Sequence, residues 1–202
     1  MQQVSDSSPP SSRGKPATRR TMVLRRDALS DAERAAASAV IAERADAAIA
    51  ERNAHVVALY AAKGTEVATA KLDAALRGRG VRVVYPRVAD GQRELVFVAT
   101  SIENLALGTF GLREPAAGSP AEPLESIDIF VVPGVAFDRS GARLGWGRGY
   151  YDATLASARG VRLGLAFECQ MVDEVTYEPH DIPMNVIVTE VATRVVAPGA
   201  RT

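Results

Sequence analysis

The sequence predicts an α/β fold of three layers, with a mostly parallel, Rossmann-like sheet and helices on both of its faces. Short apolar runs rich in β-branched residues alternate along the chain with longer segments of helical periodicity. Residues 55–85 have the pattern of a strand–helix–strand crossover, and such crossovers join parallel strands. Apolar residues make up 47% of the 202-residue chain, which suffices for one large core.

We expect a single domain that spans residues 15–196. Residues 1–14 are rich in Ser and Pro and lack the apolar segment of a secretory signal, so we expect a disordered tail there, and residues 197–202 form a second tail. The single cysteine, Cys169, excludes an internal disulfide and fits a reducing cytoplasm. Its apolar setting favours a packed side chain over a catalytic thiol.

The charge composition limits the class of partner. Lys and Arg together number 24, as do Asp and Glu, and this balance argues against general affinity for nucleic acid. No run approaches the ~20 consecutive apolar residues of a membrane helix. This composition fits a cytoplasmic protein without nucleic-acid or membrane partners, and we expect it to be a monomer.

The first predicted element is a basic helix over residues 15–27. Met22 and Leu24 lie among its cationic residues, which indicates a helix with one apolar edge. Lys15 and Arg19 are four residues apart and share a helix face. That face either binds one anion with both cations or is simply solvated.

A second helix and the crossover follow. Ser30 and Glu33 form a capping-box pattern, which starts an alanine-rich helix that runs to residue 52. Residues 55–61 form a short apolar run typical of a buried parallel strand. A helix over residues 67–78 ends at glycines, and the next strand, 81–85, is expected to stop at Pro86.

The second half of the chain alternates strands with loops. The connection over residues 101–126 is long for a compact domain, and loops of that length are commonly functional. The remaining strands are predicted at residues 95–99, 127–132, 161–167, 186–188 and 191–196.

The segment 131–153 carries the strongest functional signal. A predicted strand leads through a turn into a glycine-rich loop at 143–151, and a helix follows over residues 153–159. Glycines let backbone N–H groups approach phosphate oxygens, and a helix N-terminus adds partial positive charge. Arg148 adds a cation to the loop, and Asp152 adds a carboxylate suited to a metal ion. The loop lacks the Gly-Lys-Ser/Thr ending of a Walker A motif, and a plain tight turn is the alternative interpretation.

Other polar residues follow predicted strand ends, where ligands bind in such sheets. We expect Glu66, Arg87, the glycine-rich loop and the segment after Phe167 to share one rim. Glu66 fits equally well at the start of a helix, where an acid interacts favourably with the helix dipole. His180 lies in a Pro-flanked turn and is interpreted as a hydrogen-bonding residue rather than a base, and Asp181 alone would be a turn residue.

The sequence resembles the 5-formyltetrahydrofolate cyclo-ligase family over residues 15–190. The resemblance is carried by four blocks: Lys15-x-x-x-Arg19; Glu66-x-x-Thr69 with Tyr85-Pro86-Arg87; residues 132–138 leading to Arg143-Leu144-Gly145-x-Gly147-x-Gly149-Tyr150-Tyr151-Asp152; and Glu178-Pro179-His180-Asp181-Ile182-Pro183 closed by Val188-Thr189-Glu190. The third block is highly specific, and the fourth follows it in register.

The resemblance implies a reaction that depends on ATP and Mg²⁺. In this family 5-formyltetrahydrofolate becomes 5,10-methenyltetrahydrofolate, with release of ADP and phosphate. The formyl oxygen attacks the γ-phosphate of ATP, and N10 then closes the ring as phosphate leaves. Positioning and charge neutralisation would supply most of the acceleration.

The resemblance also implies roles for individual residues. The implied catalytic residues are Arg148 and Tyr151. The implied ATP-binding residues are Lys15, Arg19, Arg143, Leu144, Gly145, Trp146, Gly147, Arg148, Gly149, Tyr150 and Tyr151. The implied substrate-binding residues are Ala61, Glu66, Trp146, Gly147, Arg148, Gly149 and Tyr150. The implied metal ligands are Asp152 and Asp181. Of the two tyrosines, we expect one to pack inward while the other faces the ligand.

The sequence departs from the family at three positions. Thr18 stands where Leu is usual, and Trp146 and Arg148 stand where many relatives have smaller residues or glycine, so folate stacking or access is expected to differ. Two alternatives remain: a non-enzymatic nucleotide- or RNA-binding relative of the same fold, and a small-molecule kinase. The presence of all four blocks argues against the non-enzymatic relative. Accumulation of a phosphorylated product would indicate the kinase.

Overall fold

The computed structural model describes residues 14–89, 91–108 and 111–197, and most of both predicted tails lies outside these ranges. Its helices are α1 (Lys15–Asp27), α2 (Asp31–Ala50), α3 (Ala70–Gly78) and α4 (Tyr150–Ser157). Its strands are β1 (Val56–Ala58), β2 (Arg82–Val88), β3 (Leu95–Ala99), β4 (Ala106–Leu107), β5 (Arg113–Glu114), β6 (Ile129–Pro133), β7 (Ala136–Asp138), β8 (Arg143–Leu144), β9 (Val161–Leu165), β10 (Met171–Val172), β11 (Val186–Val188) and β12 (Thr193–Val195).

A seven-stranded sheet forms the centre of the molecule, in the order β12-β11-β9-β6-β1-β2-β3. The five inner strands are parallel, and the two edge strands, β3 and β12, run antiparallel to their neighbours. Smaller sheets are formed by β10-β7-β8 and by β4-β5. The predicted mostly parallel sheet is confirmed, with antiparallel strands confined to its edges.

Helices cover both faces of the large sheet. Ile41 of α2 and Leu76 of α3 are fully buried in the core on one face, and Leu155 of α4 is buried in the core on the other. The predicted three-layer arrangement is therefore confirmed. Within the described residues, no helix has the length and apolar character needed to cross a membrane.

Several local predictions agree with the structure. The first helix has the predicted bounds, and β3 and β11 do as well. The capping box is complete, because Ser30 Oγ accepts from the Glu33 N–H and Glu33 Oε2 accepts from the Ser30 N–H. These features agree because they depend on neighbouring residues alone.

The prediction that the second strand stops at Pro86 is wrong, since β2 continues to Val88. The parallel pairing with β1 does end there: the Leu59 N–H donates to the Val84 carbonyl, and the next donor on that side would be the nitrogen of Pro86. Proline has no N–H to give. The antiparallel pairing with β3 continues through Pro86 and Phe97, so the proline ends one ladder without ending the strand.

Two helices differ from their predictions in ways that matter for the site. In α1, Leu24 is 70% exposed, whereas Arg26 is only 3% exposed, so the inward face carries cations as well as the apolar Met22. The helix α4 begins at Tyr150, three residues earlier than predicted, because Gly149 takes a positive φ of 73° and serves as its N-cap.

An aromatic ring of the three-stranded sheet β10-β7-β8 packs against the large sheet. Phe137 of β7 is fully buried between two glycines, Gly134 and Gly164. A Cβ atom would lie 2.5 Å from Phe137 Cζ at Gly134 and 2.6 Å from Phe137 Cε1 at Gly164. Both distances are shorter than a carbon–carbon contact allows, so the ring requires glycine at both positions.

We expect Gly164→Ala to lower the free energy of unfolding by about 1 to 3 kcal/mol, because the added methyl overpacks the ring. Gly78→Ala is the matched control: a Cβ there meets no atom within 4 Å, and alanine is the better helix former. Urea denaturation of both variants measures the difference. Equal stability of the two would contradict the packing argument.

Candidate active site

One cavity of ≈ 770 Å³ opens where the carboxyl ends of β1, β2 and β6 meet. Its volume falls in the range of small-molecule sites in proteins. It is bordered by every residue that the sequence analysis named for ATP, substrate or metal: Lys15, Arg19, Ala61, Glu66, Asp181 and all ten residues from 143 to 152. Residues from distant parts of the chain therefore border one space.

The helix α1 presents a single face to this region. Lys15, Arg19, Met22 and Arg26 recur at intervals of four, three and four residues, which places them in one stripe. Lys15 and Arg19 line the cavity, and Met22 is buried beside Leu144 in a third apolar cluster. The helix is thus anchored by one apolar side chain and directs cations inward on both sides of it.

Lys15 is held by two acids from the turn that follows β10. Its Nζ lies 2.8 Å from Asp181 Oδ2 and 3.2 Å from Glu178 Oε2. Burial alone would lower the pKa of Lys15, but the hydrogen bonds to Asp181 and Glu178 outweigh that effect and raise the pKa above its usual value. The ammonium group therefore stays charged at neutral pH.

Asp152 forms a second ion pair at the start of α4. Its Oδ1 accepts from Arg143 Nη2 at 2.9 Å and from the Ile182 N–H at 3.3 Å. The second contact brings the acidic turn against α4, so Asp152 and Asp181 border the same cavity. The carboxylates of Asp152, Asp181 and Glu178 are oxygen ligands of the kind that Mg²⁺ prefers.

The glycines of the loop have two different physical roles. A Cβ at Gly145 would lie 2.8 Å from Arg143 Nη1, and one at Gly147 would lie 3.1 Å from Arg19 Nη2. These two glycines make room for guanidinium groups against the loop backbone. Gly149 meets no atom within 4 Å of such a Cβ, and its positive φ of 73° is what requires glycine.

The N-terminus of α4 also faces this space. Gly149 is its N-cap, and no side chain among the described residues caps it. The first amides of the helix therefore have no intrahelical acceptor, and they carry partial positive charge. Together with Lys15, Arg19 and Arg143, they suit an anionic ligand.

Glu66 also borders the cavity. It lies four residues before α3, so it is not in the first turn of that helix, and the helix-start interpretation does not describe it. Its Oε1 accepts from Trp146 Nε1 at 3.0 Å, and its Oε2 accepts from the Lys63 N–H at 3.0 Å. Trp146 thus connects the glycine-rich loop to the acid across the cavity.

Both tyrosines of the loop border the cavity, and Tyr151 also packs inward against the core beside α4. Burial raises the pKa of the Tyr151 hydroxyl, as does the nearby Glu66 carboxylate, and Arg143 opposes them. The Arg143 guanidinium lies 5.6 Å from the centre of the Tyr151 ring. Tyr151 therefore stays neutral at physiological pH and can donate a hydrogen bond but cannot serve as a base.

Two residues differ from their expected places on the rim. Arg87 turns away, since its Nη1 donates to the carbonyl oxygen of Ala116, and only its neighbours Pro86 and Val88 line the cavity. Glu168, which directly follows Phe167, binds Arg194 and Thr189 instead. Both positions follow strand ends, but neither side chain is directed at the cavity.

The sequence analysis missed part of the lining. Tyr60, Leu95 and residues 112–114 of the long connection border the cavity without having been named. The length of that connection was the only signal, and it does not indicate which of its residues approach the site.

His180 borders the cavity as well, with its side chain exposed and its Nε2 3.3 Å from Glu178 Oε2.

Asp138 stabilises the turn that precedes the glycine-rich loop. It is buried, and its Oδ1 accepts from the N–H groups of Ser140 and Ala142, while its Oδ2 accepts from the Val175 N–H. These bonds shape the turn between β7 and β8 and tie it to the segment before the acidic turn. The carboxylate thus joins the two segments that carry Asp152 and Asp181.

Comparison with known proteins identifies relatives of this chain. The sequence model of the 5-formyltetrahydrofolate cyclo-ligase family matches residues 11–190. The chain is 43% identical over 88 residues to 5-formyltetrahydrofolate cyclo-ligase of Mycolicibacterium smegmatis, which covers 42% of this chain and 45% of that protein. It is 32% identical over 142 residues to the Escherichia coli protein of the same name, covering 67% of this chain and 78% of that one.

A solved structure shares the fold. The NMR structure of 5,10-methenyltetrahydrofolate synthetase from Aquifex aeolicus matches with a TM-score of 0.80 and 31% sequence identity. The match covers 93% of this chain and 95% of that one. The likeness therefore extends over nearly the whole of both chains.

We expect Asp138→Asn to lower the free energy of unfolding by about 1 to 3 kcal/mol. Donors surround both carboxylate oxygens, so an amide NH₂ group would face an N–H in either orientation. Asp173→Asn removes the same charge at an exposed position nearby and should change stability by less than about 0.5 kcal/mol. Denaturation of both variants tests this, and an Asp138→Asn protein as stable as the control would exclude the supporting role.

Proposed function

The chain belongs to the 5-formyltetrahydrofolate cyclo-ligase family and is a ligase, and from that premise we propose that it converts 5-formyltetrahydrofolate to 5,10-methenyltetrahydrofolate, using ATP and Mg²⁺. The observation that carries the proposal is a cavity bordered both by a cationic, glycine-rich loop and by an acid, Glu66.

The phosphates of ATP bind at the glycine-rich loop. Lys15, Arg19 and Arg143 lie at this loop, and the N-terminus of α4 adds partial positive charge. Lys15 is charged at neutral pH, and the two arginines are always charged. The remaining nucleotide contacts are proposed for residues 144–151 of the loop.

Asp152 and Asp181 hold the metal ion. They border one cavity, and their oxygen atoms fit the donor set of Mg²⁺. When bound, the ion supplies positive charge that offsets the charge developing on the phosphates during transfer. In the ligand-free protein the same carboxylates are paired with Arg143 and Lys15.

The folate lies on the other side of the cavity. Glu66 accepts paired N–H donors from its pterin end, a bond pattern that a carboxylate suits. Ala61 and residues 146–150 complete the substrate contacts. This arrangement leaves the formyl group between Glu66 and the phosphate site.

The chemistry converts a poor leaving group into a good one. The formyl oxygen forms a bond to the γ-phosphorus as the bond to ADP breaks. N10 then forms a bond to the formyl carbon and gives up its proton, and the formyl C–O bond breaks as inorganic phosphate leaves with the oxygen. Arg148 stabilises the charge of the transferring phosphoryl group, and the neutral Tyr151 hydroxyl donates a hydrogen bond.

The proposal is tested by incubating the protein with ATP, Mg²⁺ and 5-formyltetrahydrofolate and measuring the absorbance of the methenyl product together with free phosphate. We expect both to form in equal amounts and only when all three components are present. A phosphorylated folate that accumulates without ring closure would indicate a kinase. Folded, ATP-binding protein that forms no product would reject the cyclo-ligase assignment.

We expect Asp152→Asn and Arg148→Ala each to lower kcat about a hundredfold or more, because each removes charge that acts in phosphoryl transfer. Melting temperatures should change little in comparison. Asp173→Asn and Arg25→Ala are controls of the same residue types at exposed positions and should retain full activity. A loss of stability in step with the loss of activity would make the two residues structural.

A further inference from the structure

The last turn of α1 buries a cation to which the proposed reaction gives no role. Arg26 is only 3% exposed. Within the described part of the chain, no salt bridge pairs it with an acid. Burying a charge without an ionic partner is unfavourable, so the contacts that Arg26 does make require an explanation.

Among the described residues, the Arg26 side chain has one hydrogen bond and one cation–π contact, and both lead towards Glu66. Its guanidinium carbon lies 5.5 Å from the centre of the Trp146 ring, and the Trp146 indole donates to Glu66 Oε1 at 3.0 Å. Its Nε donates to Thr65 Oγ1 at 2.9 Å, and Thr65 is the residue before Glu66. The Thr65 hydroxyl in turn donates to Asp27 Oδ1 at 2.5 Å.

Trp146 needs such a support to have a defined position. Its side chain is 53% exposed, and it lies between Gly145 and Gly147 on the loop. An exposed indole between glycines has few neighbours to select one rotamer. The cation against its face and the carboxylate at its N–H are the contacts that orient it.

The geometry points to Arg26 as a positioning residue for substrate recognition: through Trp146 it orients the Glu66 carboxylate, and through Thr65 it fixes the backbone that carries it. The inference rests on the proposed function, in which Glu66 binds the pterin end of the folate. Nothing in it requires Arg26 to touch either substrate.

The arrangement leaves Glu66 able to bind a ligand. A carboxylate offers about four lone-pair sites. The Trp146 indole and the Lys63 N–H each use one, on different oxygens, so both oxygens keep a site for a further donor. An acid that is already oriented loses less conformational entropy when the substrate binds. Arg26 should therefore affect affinity for the folate more than affinity for ATP.

The test compares Arg26→Met, which removes the charge but keeps an unbranched helix-forming side chain, with Arg26→Lys, which keeps a cation. Arg25→Met is the matched control, since Arg25 is the exposed neighbour on the same helix turn. Trp146 is the sole tryptophan, so quenching of its fluorescence by acrylamide reports its accessibility directly. Trp146→Phe removes the indole N–H together with part of the ring, and it keeps an aromatic face for Arg26.

For Arg26→Met we expect more efficient quenching of Trp146 and a KM for 5-formyltetrahydrofolate raised about tenfold, with the KM for ATP changed less than about twofold. Trp146→Phe should raise the folate KM similarly, Arg26→Lys should restore most of the quenching behaviour, and Arg25→Met should match the wild type. Unchanged quenching in Arg26→Met would overturn the inference, as would changed quenching with an unchanged folate KM.

The two proposals fail in different ways. If the wild-type protein forms no methenyl product, the proposed function fails, whereas the quenching comparison still tests whether Arg26 orients Trp146. In that case, the protein is titrated with 5-formyltetrahydrofolate while Trp146 fluorescence is measured. The titration gives a Kd for the folate, which is compared between variants in place of KM. If the wild type is active but Arg26→Met only lowers the melting temperature, Arg26 is structural and the inference is wrong.

Discussion

The close approach of two arginines to a glycine-rich backbone is the constraint on which the site depends. Arg19 Nε donates to the carbonyl oxygen of Gly145 at 2.8 Å, and its guanidinium lies against Gly147. Arg143 lies in the same way against Gly145. The guanidinium groups occupy the room that side chains would otherwise fill, so the loop has its shape before a ligand arrives. Preorganised charge of this kind needs no rearrangement at the moment of reaction.

Cations gathered around one site repel one another unless acids lie among them. Lys15 pairs with Asp181 and Arg143 pairs with Asp152, and the Ile182 N–H, which donates to Asp152, brings the acidic turn against α4. In the proposed function these carboxylates would hold the metal ion, and the cations would face the phosphates. Each charge would then still have a partner of opposite sign, which would avoid the large penalty of an unpaired charge in a partly buried site.

Local chemistry explains which parts of the structure the sequence could predict. The capping box at Ser30, the bounds of α1 and the glycine-rich loop depend on residues that are neighbours in the chain. The small sheet β10-β7-β8 could not be found, because its strands have two or three residues and no alternating pattern to recognise. The continuation of β2 through Pro86 was missed because proline interrupts a strand that is paired on both sides. Beyond Pro86, β2 is paired with β3 alone.

In the candidate site, too, the sequence reveals features that depend on neighbouring residues and misses contacts between distant ones. The family motifs named residues that do border the cavity, whereas Arg26 was seen only as one more cation in a basic stretch. Its guanidinium lies over the ring of Trp146, 120 positions later, and no property of residues 15–27 alone reveals that partner. The stripe formed by Lys15, Arg19, Met22 and Arg26 was nevertheless visible in the sequence. Three cations at helical spacing around one apolar residue indicate a helix that is anchored to a charged site rather than to an apolar core.

That stripe gives α1 a role in both halves of the cavity. Lys15 and Arg26 are separated by about 16 Å along the helix axis, at a rise of about 1.5 Å per residue. One end contacts the acids proposed for the metal, and the other supports the acid proposed for the folate. A phosphoryl transfer between two bound substrates is sensitive to their relative placement, and a helix is stiff over this length. Because Met22 anchors the helix midway, the two binding regions are held at a distance that the helix itself defines.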